Sequence, residues 1–259
     1  MNDSGNPFNS RQAPSVDEPP QQVISIAKSW GGKVLCVGFA IVVLVSLLLP
    51  GMTHPPEVRH RMSSSYNLKM IGLALHNYHD TYGSFPPAIV TDANGKPLYS
   101  WRVLLLPFME EQALYQQFAV DEPWDSATNR PLLKQMPELF RSPFPESPGR
   151  DTQTPYVALV DMKDGRTAML LTRGRTFDEI SDGTSSTGMV IDDPAHPVPW
   201  TAPHDRDPWK LLGRATFDET DLHGILLVCC DGAVRFLGDE QRTELIGYLF
   251  CDDDRVPEN

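Results

Sequence analysis

The spacing of apolar residues changes character three times along the chain. Residues 1–22, MNDSGNPFNSRQAPSVDEPPQQ, hold almost no large apolar group. Such a segment buries too little surface to offset its ordering entropy, which predicts a disordered tail over residues 1–30. Val34 to Pro50, VLCVGFAIVVLVSLLLP, is uncharged and apolar on every helical face. With Gly31, Gly32 and Met52 as shoulders, it approaches the roughly 20 residues that cross a bilayer. It lacks the polar stripe of a surface helix. About thirty residues precede it and no A-x-A site follows, against the pattern of a cleaved signal peptide. The run therefore predicts one uncleaved transmembrane anchor over residues 31–52. Lys28 and Lys33 flank one side and Arg59 and Arg61 the other, so the positive-inside rule does not orient the span. If the tail stays inside, the long C-terminal body is exported.

Beyond Pro50-Gly51 and Pro55-Pro56, which end the apolar run, the period shifts to three and four. Leu68, Ile71, Leu75, Tyr78 and Tyr82 form one apolar stripe, predicting a helix over Glu57–Tyr82. Gly72 and Ala74 permit close packing on a sheet. Gly83 suits the residue after the helix, and Pro86 and Pro87 a stop. In WRVLLLPFMEEQALYQQF (Trp101–Phe118) a short apolar segment breaks at Pro107 and a helix follows. Met109, Leu114 and Phe118 face inward there, with Glu110 and Glu111 in the first turn. VDEPWDSATN and SPFPESPGRDTQTP are turn-rich connections.

From Tyr156 the runs become short and strand-like: YVALVDM, RTAMLLT, TGMVID and GILLVCC-DG-AVRFL. The last reads as a hairpin whose Asp231-Gly232 pair suits a type I′ turn. Together these elements predict an α+β domain over residues 53–250, with the Glu57–Tyr82 helix covering one face of an antiparallel sheet. Glu240–Phe250 is a candidate closing helix, and residues 251–259 form an acidic tail.

Length and composition fit one domain with appendages: 259 residues, 41% hydrophobic. Net charge changes the picture more. The formal charge is −12, and Arg11, Lys28 and Lys33 balance Asp3, Asp17 and Glu18 within residues 1–33. The excess therefore belongs to the body, which repels phosphate backbones, so nucleic acid is not an expected partner. Cys36, Cys229, Cys230 and Cys251 contain no CxxC, which excludes a zinc ribbon or a thioredoxin-type site. Cys229 and Cys230 point to opposite sides of a strand, and buried free thiols are the preferred reading over a bridge to Cys251.

Candidate chemistry is sparse. His76, His79 and Asp80 form H-x-x-H-D, but a zinc helix wants histidines at i and i+4 with a glutamate. Imidazoles in a last turn suit the negative end of the helix dipole. Asp182-Gly183-Thr184-Ser185-Ser186-Thr187 lacks the lysine and the preceding strand of a phosphate loop and reads as a turn. No GxSxG, HExxH, P-loop or GxGxxG occurs. No catalytic residue, metal ligand or cofactor is assigned. A hydrolase built on His76, His79, Asp80 and the Asp192-Asp193 pair ranks third among the functions considered.

Several motifs stand in a fixed order: NLKMIGLALHNYHDTYGSFPPA (Asn67–Ala88), SWRVLLLPFMEEQALYQQF (Ser100–Phe118), DEPWDS (Asp121–Ser126), DGTSST (Asp182–Thr187), VPWTAPHD (Val198–Asp205) and DGAVRFL (Asp231–Leu237). Over about residues 47–250 the chain closely resembles a large, mainly planctomycete family of unknown function. Its members often carry prepilin-type N-termini, and it is also labelled a bacterial solute-binding protein family. The resemblance implies an exported, pseudopilin-like domain with a long N-terminal helix packed on an antiparallel sheet, and implies no catalytic residues. Leu47–Pro50 matches the family's LLLP, but Gly31-Gly32-Lys33-Val34 is followed by neither the Thr nor the Glu of a prepilin processing site. That departure favours a fixed anchor over pilus incorporation. Relatives often have Cys where this chain has Ser64 and Ser142, which implies that the two positions face each other. Relatives also place a histidine ten residues before the final DG; here His223 stands eight before Asp231, so no role is carried over.

The expected function is thus a membrane-anchored, non-enzymatic cell-envelope protein working through envelope protein partners. The alternative is an anchored solute- or glycan-binding module in which Trp101, Trp124, Trp200 and Trp209 stack on sugar rings. Against it, tryptophan is highly buried on average.

Overall fold

The computed structural model of the protein describes residues 33–35, 37–45, 56–212, 224–238 and 241–250. The tail over residues 1–30, much of the 31–52 run including Cys36, His223, Cys251 and the acidic tail lie outside them. The chain divides into two compact units, Met1–His54 and Pro55–Asn259. In the first, residues 33–35 and 37–45 are helical with exposed side chains. Among the described residues no helix is long and apolar enough to cross a membrane.

The second unit is α+β. Its long helix α1 spans Pro56–Tyr82, within one residue of the predicted start. It ends as expected, with Gly83 at φ 79 and its N–H on the His79 carbonyl at 2.7 Å. Only glycine adopts that left-handed turn without strain. Leu68, Ile71 and Leu75 of the apolar stripe are fully buried. Gly72 lets the helix touch the sheet, because a Cβ there would stand 2.8 Å from the Val228 Cγ2 methyl. Tyr82 departs from the expected stripe. It is 63% exposed, its ring leaning on Tyr78 and Phe108 rather than entering the core.

Four antiparallel strands follow the order β4 (Tyr156–Ala158), β5 (Gly188–Asp192), β7 (Gly224–Cys229) and β8 (Val234–Gly238). Two short pairs accompany them: β1 (Ile89–Thr91) with β2 (Pro97–Ser100), and β3 (Gln153–Thr154) with β6 (Val198–Pro199). Every residue of β4, β5 and β7 is buried. These strands read as continuous apolar runs because both faces are covered. Tyr156, Ala158, Val190, Leu226, Val228 and Cys230 join the core under α1. Val157, Leu159, Ile191, Leu227 and Cys229 join a second core with Leu211 of helix α4 (Pro208–Leu212) and Leu245 and Leu249 of helix α5 (Arg242–Leu249). The closing helix therefore forms and seals the far face. Cys229 and Cys230 are buried free thiols on opposite faces, as the strand period requires.

Three expectations need correction. The final hairpin forms in register, with Val228 opposite Val234, but its turn is not type I′. Asp231 has no positive φ; Gly232 alone is left-handed, at φ 78, and its N–H bonds the Cys229 carbonyl. The loop is a type I turn followed by a left-handed glycine. RTAMLLT adds no strand to the sheet. Leu170 and Leu171 instead accept the Ala88 and Ile89 amides, and Met169 makes one isolated bridge to Gly174. The helix predicted after Pro107 is interrupted. A 3-10 turn, Leu106–Met109, ends at Glu110 with φ 62, and only Gln112–Tyr115 (α3) is α-helical beyond it. Glu110 thus caps a turn and Glu111 precedes α3, neither lying in a first helical turn.

Candidate functional site

A short helix, α2 (Trp101–Leu104), places the SWR motif at the centre of the domain. Ser100 caps it, accepting the Arg102 amide on Oγ. Arg102 is fully buried, and its planar fork is satisfied on three sides. Nε donates to the Tyr156 carbonyl at 2.9 Å, one terminal nitrogen to Ser100 Oγ at 2.6 Å, and the other to Asp205 Oδ1 at 2.8 Å. The same Asp205 oxygen accepts the Trp101 indole N–H at 3.1 Å and the Ala158 amide at 2.8 Å. Burial pushes the Asp205 carboxyl up, and the Arg102 charge with the Trp101 and Ala158 N–H groups pulls against it. Two motifs a hundred residues apart, SWR and VPWTAPHD, are therefore joined by one ion pair, reinforced by the Ser100 amide on the Thr201 carbonyl.

Trp101 and Trp200 are 0% exposed. The Trp200 indole N–H donates to the Leu133 carbonyl at 3.1 Å, and its ring stacks on Phe140. Neither ring presents a face to a sugar, so both leave the set of candidate glycan contacts. Trp124 is partly buried beside His204. Trp209 is partly buried against Phe250 in the second core.

A second polar cluster lies beneath α1. Ser64 Oγ hydrogen-bonds the Tyr156 hydroxyl at 2.9 Å and donates to Asp192 Oδ2, while Asn67 donates to the same hydroxyl at 3.1 Å. Burial, with Asp192 nearby, raises the Tyr156 pKa and keeps the phenol protonated. The neighbouring Asp193 engages other partners, with Oδ2 2.6 Å from Arg206 Nε and Oδ1 3.2 Å from His196 Nδ1. Strand alternation splits the Asp192-Asp193 pair between two networks, and neither is the one that holds His76 and His79. His76 Nε2 lies 2.9 Å from the Cys230 carbonyl, and His79 packs on Phe177 at 4.0 Å and Phe85 at 5.0 Å between ring centroids. Asp80 is exposed. The H-x-x-H-D motif thus anchors the helix end to the final hairpin and to an aromatic cluster.

The site that sequence reasoning missed is a groove of about 600 Å³ between α1 and β8. Arg61, Met62, Tyr66 and Lys69 of α1 form one wall, Leu226, Val234 and Phe236 the other, and no carboxylate lines it. Met62 and Tyr66 are each more than 60% exposed. Their spacing of four was the available signal: with Leu73 (52% exposed) they make a second apolar stripe on α1, turned away from the core. Tyr99, Tyr115 and Phe118 fill another aromatic region inside the domain, where burial first and Tyr115 second push the Tyr99 hydroxyl up to about 12.

No curated protein and no solved structure matches the chain. Residues 57–222, more than half of the chain, match the family described as a protein of unknown function, DUF1559, also labelled as bacterial solute-binding, and the chain belongs to that family.

Proposed function

We propose that the protein is a single-span, pseudopilin-related envelope protein that holds its α+β domain outside the cytoplasm and works through protein contacts rather than turnover. One observation carries this reading. The signature residues Trp101, Arg102, Trp200 and Asp205 bond to one another or to main chain inside the domain. The motif therefore builds a frame, and among the described residues the surface carries an apolar groove with a cationic rim. The Val34–Pro50 run supplies the tether, and α1 laid along an antiparallel sheet is the arrangement expected of a pseudopilin relative. Because neither Thr nor Glu follows Gly31-Gly32-Lys33-Val34, the anchor is fixed and the chain is not a pilus subunit.

Carbonate-washed membrane fractionation, combined with protease access to the C-terminal domain in spheroplasts, tests the tether. The full chain should pellet with membranes and be cut from outside. Recovery in the soluble fraction, or protection of the domain in intact spheroplasts, would overturn the reading. Partner contact is tested by crosslinking in cells, where monomer alone is the contrary result.

A second reading, a solute- or glycan-binding module, is favoured by Trp124, whose partly exposed ring stands beside His204. Titrating tryptophan fluorescence with a panel of glycans tests it, and a flat response in the wild type removes it.

A further inference from the structure

Among the described residues strand β8 is the last in its sheet, and only β7 pairs with it. The hydrogen-bonded Cys229–Ala233 pair sets the ladder phase. Arg235 and Leu237 therefore direct their amides and carbonyls to β7, as Ala233 does its carbonyl while its amide donates to Asp231 Oδ1, whereas Val234 and Phe236 direct theirs outward. Val234 and Phe236 are also the residues of β8 whose side chains line the groove. A strand added along this edge would set alternate side chains on the groove floor, between Phe236 and the Met62–Tyr66 stripe of α1. Arg61, held 4.0 Å above the Phe236 ring, and exposed Lys69 give the groove two cations in a chain of formal charge −12. A second copy pairing β8 with β8 would bring these cations against their own counterparts, which disfavours a dimer.

We propose that the groove between α1 and β8 is a docking site for an extended, acidic segment of a partner protein, which adds a strand to β8 and seats alternate apolar side chains against Phe236, Met62 and Tyr66. This rests on the protein-contact reading above and names the surface and the chemistry of its partner.

The probe is a fluorescent peptide of alternating valine and glutamate, titrated by anisotropy into the full chain in detergent, with a valine–lysine peptide as counterpart. The acidic peptide should bind and the basic one should not, with affinity falling as salt rises. Val234→Pro removes an outward N–H without touching a bond to β7, so it should weaken binding about tenfold or more while the fold is kept. Lys69→Glu, at an exposed position, should weaken the acidic peptide and favour the basic one; it serves alone if the proline variant misfolds. No binding of the acidic peptide, equal binding of both peptides, or binding unchanged by Lys69→Glu would overturn the proposal. So would a dimer abolished by Val234→Pro in sedimentation. Membrane fractionation and crosslinking are independent of these titrations, so a failed groove leaves the tethered, protein-contacting reading standing, and a soluble chain would sink that reading without touching the groove.

Discussion

The Arg102 guanidinium lies 2.8 Å from the Asp205 carboxylate, with their side chains 0% and 2% exposed. A pair this deep holds its charges through the three donors that converge on Asp205 Oδ1, while Oδ2 is buried without a hydrogen-bond partner, and removing one member strands the other in a low-dielectric core. Arg102→Ala and Asp205→Ala should each cost about 3–5 kcal/mol in urea unfolding. The double replacement Arg102→Ala with Asp205→Ala should cost less than the sum of the two singles, since no unpaired charge remains. Additive losses would show that the pair is not coupled.

The face of α1 that carries His60, Ser64 and Asn67 lies along the segment Arg141–Phe144. His60 packs on Phe144 at 4.5 Å between centroids, and Asn67 donates to the Arg141 carbonyl. Ser64 stands between those contacts on the helix, and both Ser64 and Ser142 are buried. A Ser64→Cys/Ser142→Cys variant should therefore close a disulfide on oxidation of the folded chain, which needs Cα atoms within about 7 Å. Thiol titration before and after oxidation, with a non-reducing gel, checks it. Two persistently free thiols in the folded variant would refute the facing arrangement implied by the cysteines of relatives.

What the sequence made legible was local. The α1 stripe, its glycine stop and the last hairpin all follow from periods and turn residues within one element. The misses depended on distant partners. RTAMLLT has a strand's composition but adds no strand to the four-stranded sheet: its Leu170 and Leu171 carbonyls accept the Ala88 and Ile89 amides, some eighty residues earlier, and Met169 bridges Gly174 nearby. Glu110 turns left-handed because Pro107 sets a tight 3-10 turn that must end before α3. In the site, one clue was visible: Arg102 interrupts an otherwise apolar WRVLLL, and a charge there needs a buried partner. Which of many carboxylates would answer it was not legible, because Asp205 lies in a loop a hundred residues away. Asn129 is a similar case. It is wholly buried and bonds the amide and carbonyl of Ala119 and the carbonyls of Glu122 and Pro123, so it shapes the DEPWDS turn from outside that motif.

Gly174 marks another long-range constraint. A Cβ built there falls on the carbonyl of Phe85, which is backbone and has no rotamer to give. Gly174→Ala should destabilise the domain by about 3 kcal/mol or more, at the upper end of overpacking costs. Gly247 in α5 is exposed with nothing within 4 Å of its added Cβ. Gly247→Ala should thus be neutral or stabilise by up to about 1 kcal/mol through helix propensity. Urea midpoints of the two variants distinguish close approach from a general intolerance of lost glycines.

His79 connects the helix end to acid stability. Its pKa lies below the ordinary 6.5, chiefly because burial against Phe177 and Phe85 disfavours the charged ring; Asp80 opposes the shift and His76 adds to it. The unfolded chain therefore binds this proton more readily than the folded one. Stability from His79 is fully present above about pH 6.5 and is lost as pH falls from there through the folded pKa. His79→Phe keeps an aromatic ring beside Phe177 and removes the titration. Wild type should lose stability relative to His79→Phe between pH 7 and pH 5 in urea unfolding, and the difference should level off at lower pH. Parallel curves for the two proteins across that range would mean that His79 titrates alike in both states, and that the aromatic cluster does not shield it from water.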